Sequence, residues 1–122
     1  MTCRTGRNRL IEEGSGRVLA DDLEIADTPW QRMKGLLGRD RLDEGRGLLI
    51  EACWSVHTCF MRFPIDVIYL DREGLVRKIV HRMPPWRVSS CLGASRTVEL
   101  PAGAAASAEV QPGARLVVCE DA

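Results

Sequence analysis

The chain has 122 residues, and its 17 lysine and arginine residues balance 17 aspartate and glutamate residues at a formal net charge of zero. A chain of this length buries roughly 65% of the surface that it exposes when unfolded, so it can fold as one domain without a disulfide or a metal. Because the charges cancel and form no long run of one sign, the composition argues against nucleic acid as a partner. No segment approaches the roughly 18 apolar residues of a membrane span, so we also expect no membrane partner.

The five cysteines are an odd number at no spacing that is typical of a disulfide framework. This pattern favours free thiols and a reducing compartment. The first residues include several basic side chains, but the apolar stretch of a secretory signal does not follow them. We therefore expect a cytoplasmic protein.

The first elements of the chain alternate strands and turns. Residues 1–8 are polar and unpatterned and predict a disordered tail, which leaves residues 9–122 as a single β-barrel domain. Residues 9–12 and 17–20 flank a glycine-containing turn and predict a hairpin. Residues 22–26 alternate apolar and acidic side chains, as a half-buried strand does.

The clearest helix start in the chain comes next. A capping residue, a proline at the first helical position, a capping-box glutamine and a glycine stop appear in order, at Thr28, Pro29, Gln31 and Gly38. The spacing of Trp30, Met33 and Leu37 gives this helix one apolar face. Because so short a helix is marginal alone, we expect burial of that face to stabilise it.

The second half of the chain contains mostly strands. Strands are predicted at residues 47–51, 63–70, 75–83, 97–100 and 115–119, with a tight turn at 71–74 and a short helix at 104–109. A three-residue loop with a glycine bulge in the turn would place Val80 opposite Asp66. Six or seven short strands with one or two short helices predict a mainly β (α+β) fold, a small antiparallel β-barrel or sandwich.

Asp66 is the most conspicuous polar residue of the predicted sheet. Period-two alternation puts it on one face with Ile68, while Ile65 and Val67 take the other face. Desolvation in such aliphatic surroundings is costly for a carboxylate unless a cation or backbone N–H groups offset it. Asp66 is therefore either a structural anchor for register or a turn, or a general base or ligand-binding group.

The segment around His57 raises two further possibilities. Cys53, His57 and Cys59 form a Cys-x3-His-x-Cys cluster, but structural zinc sites usually have two Cys-x2-Cys knuckles, and none is present. We predict no metal and no cofactor. A Cys–His nucleophile would need the imidazole within hydrogen-bond reach of an activated thiol, which sequence spacing does not establish.

Three tryptophans stand out in a chain that is otherwise poor in aromatic residues. Such rings usually pack in a core or at its rim. The alternative is a ligand platform, because Trp54 and Trp86 lie in predicted loops at strand ends. Arg62 and Arg87 would add contacts to an anion there, unless they cap carbonyl groups and pair with acidic side chains.

Several short motifs occur in an order that resembles a known family. They are Ala26-Asp27-Thr28, residues 32–39, residues 45–50, Val56-His57-Thr58, residues 61–68, Leu70-Asp71, Pro85-Trp86-Arg87, residues 100–103 and Pro112-Gly113. Together they cover roughly residues 17–119 and resemble the bacterial and archaeal family called domain of unknown function 192. The resemblance implies a compact, largely antiparallel β-barrel with a short helix, and it implies no established reaction, cofactor or partner.

The resemblance also ranks the candidate residues. His57, Arg62, Asp66 and Trp86 fall on motif positions. Cys59 lies where the family pattern has an aromatic residue or glycine, which makes it a poor candidate for an essential nucleophile.

Two functional hypotheses follow, of which the first is a non-catalytic β-barrel module. It would bind a small polar or anionic ligand, or a partner segment, at a pocket lined by His57, Arg62, Asp66, Trp86 and Arg87. The second is a small acid–base hydrolase in which Asp66 orients the imidazole of His57, which requires the two groups within about 3.2 Å or one water of each other. A purely structural or assembly role is the remaining possibility.

Overall fold

A computed structural model describes residues 8–120 as a curled sheet, a two-stranded ribbon and two short helices. In chain order the elements are β1 (Asn8–Glu12), β2 (Val18–Ala26), α1 (Pro29–Lys34), β3 (Arg46–Glu51), β4 (Ser55–His57), β5 (Ile65–Leu70), β6 (Val76–Met83), β7 (Val88–Ser90), β8 (Arg96–Pro101), α2 (Ala104–Ser107) and β9 (Leu116–Glu120). Residues 1–7 of the predicted tail lie outside the described part of the chain, as do residues 121 and 122, whereas Asn8 begins β1. Neither described helix is long and apolar enough to cross a membrane.

The curled sheet has seven strands in the order β6-β5-β8-β3-β2-β1-β9. Neighbouring strands are antiparallel, except that β2 and β3 are parallel. A bridge between Leu75 and Arg115 joins the two edges of the sheet at one end, so the sheet forms a half-barrel. The predicted mainly β fold, with short antiparallel strands and two short helices, is confirmed.

The turn between β5 and β6 is the one that the sequence predicts. Asp71 Oδ1 accepts hydrogen bonds from the backbone N–H groups of Glu73 (2.9 Å) and Leu75 (3.0 Å). Gly74 has φ +84°, and a Cβ there would lie 2.6 Å from the carbonyl oxygen of Leu116. Glycine is therefore required both by the backbone conformation and by the close approach of β9.

The predicted register of this hairpin is wrong over most of its length. The expected pairing holds at Leu70, which lies opposite Val76. An irregularity between Tyr69 and Leu70 then shifts the ladder by one residue, so Val80 lies opposite Val67 instead of Asp66. A bulge of this kind adds a residue to one strand without changing the turn, so the turn residues alone do not reveal it.

Both faces of the sheet are buried, which divides the core into two parts. The inner core contains residues from the strands and from α2, and includes Leu10, Leu23, Leu49, Ile68, Val98, Leu100, Ala105 and Leu116. The outer core lies beneath the β4–β7 ribbon and the segment after α1, and includes Leu36, Leu48, Ile50, Val56, Met61, Ile65, Val67, Tyr69 and Met83. Every residue of β5 is buried as a result, and the predicted alternation of its side chains is confirmed.

Helix α1 is held by its cap and not by a buried face. Thr28 Oγ1 accepts a hydrogen bond from Gln31 N (3.2 Å), and Gln31 Oε1 accepts one from Thr28 N (3.3 Å), so the predicted capping box is confirmed. The predicted burial is wrong for Trp30 and Met33, which are 69% and 70% exposed, and no residue of α1 is buried. Leu37, which follows the helix, packs against the outer core as predicted. The chain leaves the helix at Gly35, before the predicted stop.

Candidate functional site

Asp66 is a structural anchor for two backbone segments. Its side chain is fully buried, and Oδ1 accepts a hydrogen bond from Arg82 N (2.8 Å). Oδ2 accepts hydrogen bonds from Gly103 N (3.1 Å) and Ala105 N (2.9 Å) at the start of α2. These three N–H donors offset the desolvation of the carboxylate and fix the end of β6 against α2.

The His57–Asp66 pair that a hydrolase would need is not formed. Asp66 contacts α2, whose Ala105 belongs to the inner core. His57 ends β4, whose Val56 belongs to the outer core. The two residues therefore lie on opposite sides of the sheet. Within residues 8–120, His57 makes no hydrogen bond or ion pair with Asp66.

The other predicted site residues are exposed. Arg62 forms an ion pair with Asp40. Its guanidinium therefore already has an acidic partner. Trp86 and Arg87 immediately precede β7, and the pairing of His57 with Val88 brings His57 close to them. The structure thus brings together three of the five predicted ligand-binding residues, and places Asp66 elsewhere.

Hydrogen bonds of Thr58 connect the loop after β4 to the loop before β7. Its buried hydroxyl donates to the Pro84 carbonyl (2.6 Å) and accepts from Arg87 N (2.9 Å). The Thr58 backbone donates to Arg87 O (2.8 Å) and accepts from Trp86 N (3.0 Å). Phe60 and Trp86 both have φ +67°, and their ring centroids lie 4.6 Å apart. The surrounding hydrogen bonds hold these residues in a backbone conformation that is unfavourable by itself.

The ribbon of β4 and β7 presents one face to solvent. Pairing of Ser55 with Ser90 and of His57 with Val88 places these four exposed side chains outward, while Val56 points into the outer core. Large apolar side chains on the ribbon and beside it are more than half exposed, and we call them the ribbon ledge: Trp54, Phe60, Trp86, Val88 and Leu92. An apolar surface of this kind is typical of an interaction site.

A narrow cleft of about 80 Å³ separates the ribbon from the segment that contains α1. Its walls include Met33, Leu36 and Met61, and its other lining residues are Arg32, Lys34, Gly35, Leu37, Cys53, Ser55, Val56, His57 and Glu99. Since one water takes about 30 Å³ of liquid volume, this space holds a few waters or one small chemical group. The exposed Met33 and His57 lie on opposite sides of it.

Glu99 is the residue of this cleft that sequence reasoning missed. It lies in β8 between Leu48 and Val67 and is only 4% exposed. Its Oε1 is buried and has no hydrogen-bond partner among residues 8–120. A Cβ added to Gly35 would lie 3.9 Å from this atom, an ordinary van der Waals distance, so Oε1 lies close to the residue that ends α1.

Burial changes the electrostatics of Glu99. It raises the pKa of Glu99 to about 7, and the nearby Arg39 guanidinium only partly opposes this increase. Arg39 is engaged elsewhere, since it forms a bidentate pair with Glu24 at 3.1 and 2.7 Å. That pair lowers the pKa of Glu24 and raises that of Arg39. Glu99 therefore changes its charge near neutral pH and has no dedicated partner.

The sequence contains only a weak signal for Glu99. Thr97 and Glu99 alternate with Val98 and Leu100, a pattern that normally describes a strand with one solvent-exposed face. Both polar residues are instead buried beneath the ribbon. The burial of an acidic residue in a strand whose two faces are both covered can be predicted only when the covering segment is known.

A larger cleft, of about 360 Å³, opens beside α2 and is lined by Arg82, Gly103 and Ser107 among others. The N–H groups at the start of α2 would attract an anion, but Asp66 already accepts hydrogen bonds from those of Gly103 and Ala105. This cleft therefore offers little to fix a bound ligand.

No group of three histidine, cysteine, aspartate or glutamate side chains in residues 8–120 is arranged to hold a metal ion. Cys53, Cys59, Cys91 and Cys119 are free, and Cys53 Sγ donates to the Ser55 carbonyl (3.2 Å) instead of to His57.

Comparison with known proteins gives a family and a fold. The family profile called domain of unknown function 192, described as "Uncharacterized ACR", matches residues 10–118. A crystal structure from Sinorhizobium meliloti 1021, described as a "putative transcription regulator", has 26% identity and a TM-score of 0.79, over 97% of each chain. A protein of unknown function from Novosphingobium aromaticivorans DSM 12444 has 21% identity and a TM-score of 0.77, over 90% of this chain and 82% of that one. The comparison with curated proteins finds no match.

Proposed function

This chain belongs to the domain of unknown function 192 family, and we propose that it is a non-catalytic module that binds a segment of a partner polypeptide along the ribbon ledge. The exposure of the ledge carries the proposal, because Phe60, Val88 and Leu92 are 73%, 73% and 81% exposed. Aromatic and aliphatic side chains grouped in this way anchor protein–protein contacts.

The shape of the surface supports a polypeptide over a small molecule. The ledge consists of exposed side chains on and beside a two-stranded ribbon, whereas pockets for small molecules are concave and typically have volumes of about 300–1,000 Å³. The adjoining cleft has only about 80 Å³. A ribbon of two strands also leaves one edge of each strand without a ladder partner, to which an extended segment can add main-chain hydrogen bonds.

The charges around the ledge favour acidic residues in the partner. Arg87 lies beside Trp86, and its guanidinium donates only to the Trp86 carbonyl (3.4 Å) within the described chain. His57 projects from the same ribbon face and is exposed. These groups preserve the anion-binding element of the sequence hypothesis, now as part of a polypeptide site.

The description of the Sinorhizobium protein suggests transcription as an alternative. Binding to DNA normally uses many lysine and arginine contacts to phosphates. The present chain has no net positive charge, and its most exposed surface is apolar. A role in regulation through a protein partner is compatible with both observations.

The proposal is tested by selecting binders from a displayed library of random twelve-residue peptides. We expect selected peptides to shift the amide resonances of the ribbon, at residues 54–60 and 86–92. Val88→Lys and Leu92→Lys should weaken their binding by about tenfold or more, because each places a charge where an apolar contact forms. Val18→Lys is the matched control, since Val18 is another exposed apolar strand residue (41%) but lies on β2.

Two results would contradict the proposal. One is a set of selected peptides whose resonance shifts lie away from the ribbon. The other is equal binding by the ledge variants and the Val18→Lys control. Specific binding of duplex DNA at physiological salt that survives both ledge substitutions would favour the nucleic-acid alternative.

A further inference from the structure

The cleft beside the ribbon ledge contains a carboxyl group that the proposed function does not yet use. Glu99 is 4% exposed, lines the cleft, and has no hydrogen-bond partner for Oε1 among the described residues. An unpartnered buried polar atom is costly and rare in folded proteins. Its position at a cleft that opens to solvent suggests that a ligand completes its hydrogen bonding.

The groups that face Glu99 are mostly positive. Arg32 and Lys34 line the cleft from α1, and His57 lines it from β4. On the remaining sides are the Arg39 guanidinium, which is paired with Glu24, and the neutral groups of Cys53 and Tyr69. Since Glu99 is the only acidic residue among the described residues that line the cleft, the charge of this lining is positive whether or not Glu99 is ionised.

We propose that this cleft binds a carboxylate of the partner polypeptide, and that Glu99 in its protonated form donates a hydrogen bond to that carboxylate. The inference rests on the proposed function, since it identifies the chemistry of a residue in the bound segment. Arg32 and Lys34 supply the complementary charge. A hydrogen bond between a carboxylic acid and a carboxylate is short and strong in such a site.

The dimensions of the cleft suit this ligand group. About 80 Å³ accommodates a carboxylate with one or two methylene groups and excludes a bulky metabolite. The side chains of Met33, Leu36 and Met61 provide apolar walls for the methylene groups. A segment that lies on the ledge can reach the cleft directly, because His57 borders both.

The proposal makes binding depend on one proton. Only protonated Glu99 donates the hydrogen bond, so the bound carboxylate stabilises that form and raises the Glu99 pKa further. With a Glu99 pKa of about 7 in the free protein, affinity should fall about tenfold between pH 6 and pH 8. His57 also lines the cleft, so its contribution to anion binding is separated by substitution.

The experiment uses sodium acetate and N-acetylglutamate amide as probes, with sodium chloride and methylammonium chloride at equal ionic strength as controls. The carboxyl carbon of Glu99 is followed by NMR while pH is varied. Both carboxylates should raise its titration midpoint and saturate the shifts of the Gly35 and His57 amides. N-acetylglutamate amide should bind more tightly than acetate if the natural source is a side chain of a polypeptide.

Three variants separate the possible causes. Glu99→Gln keeps a hydrogen-bond donor and should still bind acetate, without the tenfold loss of affinity between pH 6 and pH 8. Glu99→Leu removes the donor and should abolish binding, while a retained Tm excludes unfolding as the reason. In His57→Gln, the tenfold change between pH 6 and pH 8 should persist.

The proposal is overturned if acetate leaves the Glu99 midpoint unchanged, or if methylammonium lowers the midpoint with saturation. It is also overturned if Glu99→Leu binds acetate as the unmodified protein does. Failure here is distinguishable from failure of the proposed function, because peptides that bind the ledge but ignore Glu99 substitutions would leave the polypeptide module intact.

Discussion

Two buried carboxyl groups lie on adjacent strands of the same sheet, and their surroundings differ. Asp66 pairs across the ladder with Leu100, and Glu99 pairs with Val67, so the acids are close in register but point to opposite faces. Asp66 accepts three backbone N–H hydrogen bonds, whereas Glu99 Oε1 accepts none from the part of the chain that the structure describes. The fold completes the hydrogen bonding of Asp66 internally, whereas Glu99 lines a cleft and its buried Oε1 has no hydrogen-bond partner among the described residues.

This contrast separates a structural role from a candidate functional one. Burial alone does not distinguish the two residues, since both are almost fully inaccessible. The distinction lies in the hydrogen-bond partners, because a satisfied carboxylate stabilises the native state and an unsatisfied one destabilises it. On the inner face of the sheet, the buried carboxylate of Asp66 already has its hydrogen-bond donors. On the outer face, a ligand could supply a hydrogen bond that Glu99 lacks.

The largest effect should come from Asp66→Ala. The substitution leaves three N–H groups without their acceptor, and so we expect the free energy of unfolding to fall by about 3–5 kcal/mol. Urea denaturation measures this change, and Asp43→Ala, at an exposed position, is the control, for which we expect a change below about 0.5 kcal/mol. A loss below about 1 kcal/mol for Asp66→Ala would remove its role as an anchor.

The second effect is a dependence of stability on pH that Glu99 controls. Its pKa in the folded state, about 7, lies above the ordinary value of 4.5, so the folded protein binds more protons than the unfolded chain between these values. Stability should therefore fall as pH rises from 4.5 to 7, by roughly 2–3 kcal/mol from this group. Glu99→Gln should remove this slope, and an unchanged slope in denaturation curves would show that Glu99 is not the source.

A third, smaller effect tests the ribbon. Thr58→Val preserves shape but leaves Arg87 N and the Pro84 carbonyl without the hydroxyl that both contact. We expect a loss of about 1–3 kcal/mol of stability and faster hydrogen exchange at residues 86–90. Thr58→Ser retains the hydroxyl and should preserve slow hydrogen exchange at residues 86–90. Equal exchange rates in the two variants would show that the Thr58 hydroxyl does not hold the two loops together.

The smallest effect concerns the two helices. Asp66 holds the start of α2 from within the core, whereas Thr28 caps α1 at the surface. Thr28→Ala should therefore cost only about 1 kcal/mol, typical of an N-cap. Met33→Ala should change stability by less than about 0.5 kcal/mol, because this side chain is 70% exposed. A larger loss for Met33→Ala would mean that the face of α1 is covered in solution.

Local sequence signals predicted the features that depend on neighbouring residues. The capping box at Thr28, the turn that ends at Gly74 and the alternation around Asp66 are all decided within a few residues, and each is confirmed. The possibility that Asp66 is an anchor was also open from its apolar surroundings. Its actual partners come from β6 and α2, at separations of 16 to 39 residues, which no local pattern specifies.

The errors arose where a distant segment decides the environment. Trp30 and Met33 have the spacing of a buried face, but no segment within residues 8–120 covers them. The strands β4 and β7 have three residues each, too few to show an alternating pattern, so the sequence predicts loops beside Trp54 and Trp86 and no ribbon. The sequence gives no clear signal for Glu99, because the segments that lie beside it, the ribbon and residues 32–37, are distant in the chain.

The most direct test of the contrast between the two acids is an NMR pH titration of the Glu99 carboxyl carbon in the unmodified protein without added ligand. A group without a partner in a buried site should titrate near pH 7, well above an ordinary glutamate. A midpoint near 4.5 would show that its charge is already compensated in the free protein, which would contradict the account of an open site at the cleft.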